Sequence, residues 1–151
     1  MTIGEPGSRR SFSTYANEVG DRTPMTATIF DSRHVLIIDD NVALAENIAE
    51  ILQLDGHRTS IAASAEEALS NFFDHEPDVV VTDYHLPGLN GAEVVRRFRG
   101  KWLNVRTVII SAHSDEEVRG EASAAGASFF PKPIDLQRLV LLVGTGSASA
   151  A

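Results

Sequence analysis

Three aspartates, a serine and a lysine stand where short apolar runs stop. Asp39 and Asp40 follow Val35 to Ile38, Asp83 follows Val79 to Thr82, Ser111 follows Val105 to Ile110, and Lys132 with Pro133 lies just beyond Ala127 to Phe130. Each has a plainer role available: Asp40 or Asn41 could cap a helix opening at Val42, Ser111 could cap the helix after it, and Lys132 could be a solvated loop lysine. Gathered in one crevice they imply more, because three adjacent carboxylates repel and raise their own pKa values unless a cation is present. Oxygen donors suit a hard divalent ion, Mg²⁺ above all, which keeps several waters and binds through one or two carboxylates plus phosphate oxygens. A lysine and a serine beside that ion supply a point charge and a hydroxyl donor for a phosphoryl group. One carboxylate then serves as nucleophile, forming an acyl phosphate. Asp83 is the best candidate, being central and followed by a loop with Pro87, Gly88, Asn90 and Gly91 whose backbone can approach the phosphate.

The elements between these residues decide whether they meet. Val42 to Leu54 has apolar residues at helical spacing (Leu44, Ile48, Ile51, Leu52), and Gly56 stops it. Thr59 to Ala62 reads as a further, weaker strand, and Ser64 with Glu67 predicts a capping box opening a helix through Phe73, ended before Pro77. Val94, Val95 and Phe98 mark the next helix; Ser114 to Ala125 is a polar helix stopped by Gly126, and Ile134 to Val143 is the last. Strands alternating with helices predict right-handed crossovers and an α/β, doubly wound parallel sheet covered on both faces. In such a sheet ligands sit beyond the carboxyl ends of the strands, where the candidate residues fall.

The chain has 151 residues, with 21 Asp and Glu against 13 Lys and Arg, a formal charge of −8. That acidity argues against a direct nucleic-acid or anionic-membrane surface. The absence of cysteine removes disulfide scaffolds, thiolate metal sites and thiol nucleophiles, and fits a reducing compartment. No apolar stretch approaches the ~18 residues of a membrane span, and the N-terminus has no apolar signal core, so a soluble, cytoplasmic protein is expected. Residues 1–32 read as a disordered arm, 33–143 as the folded domain and 144–151 as a flexible tail.

Asp39-Asp40, Asp83 with the following Tyr84 to Gly91, Ser111-Ala112, and Phe129 to Pro133 together resemble the receiver domain of bacterial two-component response regulators. The resemblance covers about His34 to Val143 and implies a flavodoxin-like (βα)5 sheet in strand order 2-1-3-4-5. It implies that Asp83 accepts a phosphoryl group from a phosphohistidine on a sensor histidine kinase or histidine phosphotransfer protein. Asp39, Asp40, Asp83 and the backbone carbonyl of His85 would hold Mg²⁺, Lys132 would pair with the phosphate, and Ser111 would hydrogen-bond it. Phe129 falls at the family's aromatic switch position, and the bond before Pro133 is commonly cis in the family. Such a domain is a phosphoacceptor switch that promotes its own phosphorylation and dephosphorylation, not a turnover enzyme.

Phe129 lacks the hydroxyl of the more frequent tyrosine, so a readout through that group is absent. His85 and His113, two residues after Asp83 and Ser111, are candidate gates on the lifetime of the phosphorylated state, against the plainer reading of two exposed loop histidines. His57 reads as the start of the second strand. The last helix is apolar nearly all round, which suggests a homodimer through that face, or else packing against the tail. No output segment follows Val143, so a stand-alone receiver acting on an unidentified downstream protein is expected. The alternatives are a receiver-like interaction module that never carries phosphate, which the full residue set argues against, and an aspartate-nucleophile phosphatase. The latter fits poorly because Asp40 is followed by Asn41 and Val42.

Overall fold

The computed structural model describes residues 32–113 and 115–150, with side chains to 144. All but the last residue of the arm read at 1–32 lies outside them, as do Ser114 and Ala151. Five strands alternate with five helices: β1 (His34–Ile38), α1 (Val42–Leu54), β2 (Arg58–Ala62), α2 (Ala65–Asn71), β3 (Val79–Asp83), α3 (Gly91–Lys101), β4 (Arg106–Ser111), α4 (Glu116–Ala124), β5 (Ser128–Pro131) and α5 (Leu136–Ala150). The strands are all parallel, in the order β2-β1-β3-β4-β5. This is the flavodoxin-like arrangement, and its switch in strand order lies between β1 and β3.

The middles of the central strands are apolar because both faces of the sheet are covered. Val35, Ile37, Val79, Val81, Val108 and Ile110 pack with Ile48 and Leu52 of α1 and Leu139 and Val143 of α5. The alternate residues Leu36, Ile38 and Val80 point the other way, onto Ala68 of α2 and Val94 and Phe98 of α3. Ile109 faces Val118 and Ala122 of α4 on that same second side. The period-2 alternation of strand side chains thus assigns each strand residue to one of two cores.

Local chemistry sets the helix ends. Asn41 caps α1, its Oδ1 accepting from Leu44 N–H at 3.1 Å. Ser64 Oγ accepts from Glu67 N–H at 3.0 Å, but Glu67 Oε1 reaches back to the N–H of Ala63, one residue before the cap, so the predicted box closes one residue early. The reciprocal box is instead at Asn90 and Glu93. After α4, Gly126 takes φ +84°, and the Ala127 N–H to Ala122 and Gly126 N–H to Ser123 bonds close a six-residue terminus that a side chain at this φ would strain. Gly56 ends α1 in the same way.

Three sequence expectations need correction. The helix before β5 begins at Glu116 with Asp115 as its cap, Oδ1 accepting from Val118 N–H at 3.0 Å, so the expected start at Ser114 is too early. The second helix stops at Asn71, short of Phe73. The last helix starts at Leu136, with Asp135 Oδ1 accepting from Arg138 N–H, and continues to Ala150 where a flexible tail from 144 was expected. Glycines 144 and 146 weaken a helix by about 1 kcal/mol each without forbidding it, and the Ser and Ala that follow are compatible with it. No helix among the described residues is long and apolar enough to cross a membrane.

Leu139 is fully buried and Leu141 is 65% exposed, which fixes the rotation of α5. Leu139→Ala is expected to cost about 2–5 kcal/mol in urea unfolding, and Leu141→Ala to stay within about 0.5 kcal/mol. Equal costs would contradict the helix orientation.

Candidate functional site

The carboxyl ends of β1, β3, β4 and β5 meet in one crevice. Carboxylate oxygens of Asp39, Asp40 and Asp83 lie within 4.8 Å of one another. Asp39 and Asp83 are buried, at 2% and 6% exposure, while Asp40 faces solvent. Lys132 spans the buried pair, with Nζ 3.2 Å from Asp83 Oδ1 and 3.7 Å from Asp39 Oδ2. It is therefore no solvated loop lysine. Its position follows from the sheet, because Lys132 N–H donates to the Ser111 carbonyl at 2.9 Å, extending the β4–β5 ladder. The Lys132–Pro133 peptide is cis.

The plainer roles for the other residues are taken by their neighbours. Asn41 caps α1, and its N–H donates at 2.9 Å to Asp39 Oδ1, which turns that carboxylate along the crevice wall. Asp39 Oδ2 is buried without a hydrogen-bond donor. Ser111 caps no helix. It is fully buried, and its Oγ accepts from His113 N–H at 2.9 Å. Burial first, then the neighbouring charge of Asp39, pushes the Asp83 carboxyl above the usual carboxylate range, with Lys132 opposing both. The carboxyl stays raised with Lys132 beside it because burial and the neighbouring carboxylates together disfavour its charged form. An orphaned carboxylate oxygen beside a crowded all-oxygen donor set fits a hard divalent cation.

The loop after Asp83 is held tightly. Tyr84 N–H donates to the Ile110 carbonyl and Gly91 N–H to the Tyr84 carbonyl, each at 2.8 Å. A Cβ on Gly91 would run into the Asp83 carbonyl oxygen and sit 2.9 Å from Tyr84 Cα, so glycine is what allows α3 to begin this close to the strand.

The Tyr84 side chain was not singled out from the sequence. It is buried, its hydroxyl donates to Glu121 Oε1 of α4 at 2.8 Å, and burial and Glu121 push its pKa up to about 12. Its position immediately after Asp83, on the opposite side of the strand, was the available signal. The Tyr84, His85 and His113 rings stack edge to face at 4.8 and 4.6 Å, and His85 and His113 are exposed, at the mouth of a cleft of about 270 Å³ shared with Asp115 and Glu117. Phe129 pairs with Ile109 in the sheet and is half-buried, its ring covered by the Arg119 guanidinium at 4.8 Å. His57 does begin β2 in the sense expected, one residue before Arg58. It is buried, with Nδ1 accepting from Arg33 N–H at 3.0 Å, and burial lowers its pKa.

The family model of response regulator receiver domains matches residues 35–144, and the chain belongs to that family. Receiver domains are phosphoacceptor switches, generally not turnover enzymes, that work with histidine kinases or phosphotransfer proteins and with effectors. The chain is 29% identical over 106 residues to sporulation initiation phosphotransferase F of Bacillus subtilis, covering 70% of this chain and 86% of that protein. It is 34% identical over 109 residues to a response regulator receiver protein of Anaeromyxobacter and 31% over 110 residues to the response regulator MprA of Mycobacterium tuberculosis. These matches cover 72% of this chain but only 46% and 48% of the two relatives. Among solved structures, a receiver domain from Clostridium thermocellum is 29% identical with TM-score 0.68, over 74% of this chain and 90% of that one. A CheY-like receiver from Methanospirillum hungatei shares the fold at 23% identity and TM-score 0.70, over 75% and 91%.

The raised Asp83 pKa makes a stability prediction. A carboxyl whose folded pKa lies above its unfolded value costs nothing in acid and destabilises the fold as pH rises past its ordinary range. Asp83→Asn is therefore expected to raise the melting temperature at pH 7 in chelator. The gain should vanish near pH 3. A loss at pH 7 would mean that the Lys132 pair outweighs burial and the neighbouring charges.

Proposed function

We propose that Asp83 accepts a phosphoryl group from a phosphohistidine on a sensor histidine kinase or histidine phosphotransfer protein in the cytoplasm, and that phosphorylation changes a protein-interaction face. The observation that carries this reading is the Asp39, Asp40 and Asp83 cluster, within 4.8 Å, with the Lys132 ammonium 3.2 Å from Asp83 Oδ1. An Asp83 oxygen would attack phosphorus in line with the leaving nitrogen. The P–N bond breaks, the donor ring nitrogen keeps that electron pair, its imidazole takes up one proton from solvent, and the products are an acyl phosphate and a neutral imidazole. Lys132 would transfer its contact from Asp83 to a phosphoryl oxygen. Ser111, whose oxygen already accepts from His113 N–H, retains its hydroxyl hydrogen to donate to another. Asp39, Asp40, Asp83 and the His85 backbone carbonyl would hold Mg²⁺, which supplies positive charge against the phosphoryl oxygens.

Phosphorylation adds about −1.5 to −2 charge beside buried Ser111. Movement of Ser111 toward it would open space for Phe129 to turn inward from beneath Arg119, changing the surface of α4, β5 and α5. With no hydroxyl at 129, the readout would be of shape. The shift is limited to the difference in stabilisation that the phosphate gives the two states. The exposed His85–His113 pair, two residues beyond Asp83 and Ser111, would set how readily water reaches the acyl phosphate. The half-buried Leu136 and Val140 border an apolar groove of about 500 Å³ with Ile51 and Leu141, which would take the same helix of a second copy. The downstream protein would read the same surface.

Incubation with a small phosphodonor and Mg²⁺ should give a labile mass increase of one phosphate on the wild type and none on Asp83→Ala. Lack of that species on the wild type would overturn the proposal. In the phosphorylated sample, His85→Ala and His113→Ala should each change the dephosphorylation rate severalfold, and sedimentation should reveal a dimer. Unchanged rates would remove the gating role, and a monomer in both states would remove the dimer.

A further inference from the structure

The edge of the sheet opposite the crevice has the reverse charge. A cleft of about 620 Å³ opens there between the starts of the strands, lined by Arg33, Arg99 and Arg106 against one acid among the described residues, Asp78. In a chain with 21 acids and 13 basic residues, three arginines to one acid is a local inversion. The volume lies within the range of small-molecule sites, about 300–1,000 Å³.

Arg99 is set in place by backbone. Its Nη1 donates to the Val105 carbonyl at 3.4 Å, and its guanidinium lies over Gly126, where a Cβ would come within 3.0 Å of Nε. The Gly126 carbonyl is itself held by Thr107 Oγ1 at 3.3 Å. Arg106 extends from the first residue of β4, whose N–H donates to the Asp78 carbonyl at 3.0 Å. Leu103 stands on the rim with 80% exposure, an apolar surface beside the cations. Planar guanidinium forks match phosphate oxygens, and a half-buried, oriented arginine loses little freedom on binding one.

We propose that this cleft binds an organic phosphate of nucleotide size, with its phosphates on Arg99 and Arg106 and its ring against Leu103. The contact combines charge with an apolar face, so neither inorganic phosphate nor an uncharged nucleoside satisfies it fully. Arg33 extends the site toward the last helix, since its Nε donates to the Val143 carbonyl at 3.2 Å.

The test is a titration of the full chain with adenosine diphosphate in excess chelator, which keeps divalent ions out of the acidic crevice, followed by amide resonances. Saturable shifts are expected in residues 99–107 and 126–128, with weaker binding of pyrophosphate and of adenosine alone. Arg99→Gln with Arg106→Gln should weaken binding about tenfold or more. Leu103→Asp, at an exposed position that should not disturb folding, should weaken it severalfold while the spectrum keeps its native dispersion. Absence of saturable shifts, shifts confined to the Asp39–Asp83 crevice, or wild-type affinity in Leu103→Asp would overturn the proposal. Adenosine binding as tightly as the diphosphate would do the same.

Discussion

Two carboxylates withdrawn from water beside one ammonium are the constraint on which this molecule is arranged. Asp39 and Asp83 come from adjacent strands, β1 and β3, and Lys132 from beyond the far edge strand β5. Such groups are tolerated in a partly buried position only where opposite charge is at hand, and removing one partner strands the others. The Lys132 N–H to Ser111 carbonyl bond positions the ammonium, and the close start of α3 at Gly91 shapes the wall behind Asp83. Asp83 remains raised with Lys132 beside it, through burial first and the charge of Asp39 next. A cation placed among these carboxylates would relieve both costs.

The rest of the fold keeps those strand ends in register. Parallel strands with helices on both faces bring every carboxyl end to one side, and the two cores, one under α1 and α5 and the other under α2, α3 and α4, hold the sheet from both directions. Tyr84 couples the two levels. Its backbone belongs to the loop after Asp83, while its hydroxyl reaches Glu121 on α4, so the crevice and that helix share a hydrogen bond. Arg119, two residues earlier on α4, covers Phe129.

Much of this was legible in the sequence because strand ends are legible. Short apolar runs followed by Asp or Ser locate the carboxyl edge, and the fold class makes those edges converge without knowledge of any contact distance. Helix α1 was read from Val42 to Leu54, as found, since both its cap Asn41 and its stop Gly56 have strong local chemistry. The start of α4 was placed too early because Ser and Asp at adjacent positions are near-equal caps, and the cap found is Asp115. The end of α5 was misread because glycine is a cost to a helix, not a veto. The Tyr84–Glu121 bond and the arginine cleft were out of reach, since both join residues on elements whose lateral spacing no local pattern encodes.

The two ends of the strands also differ in local charge. Asp39, Asp40 and Asp83, with Asp115 and Glu117 nearby, load one end with negative charge, whereas Arg33, Arg99 and Arg106 load the other. The crevice end therefore presents a local negative field to an approaching surface. A basic partner surface orients the molecule, crevice first, before any side chain touches, and raises the share of collisions that are productive. Because that torque acts through solvent, it fades over a Debye length of about 8 Å at physiological ionic strength, so encounter with such a partner becomes slower and less directed as salt rises.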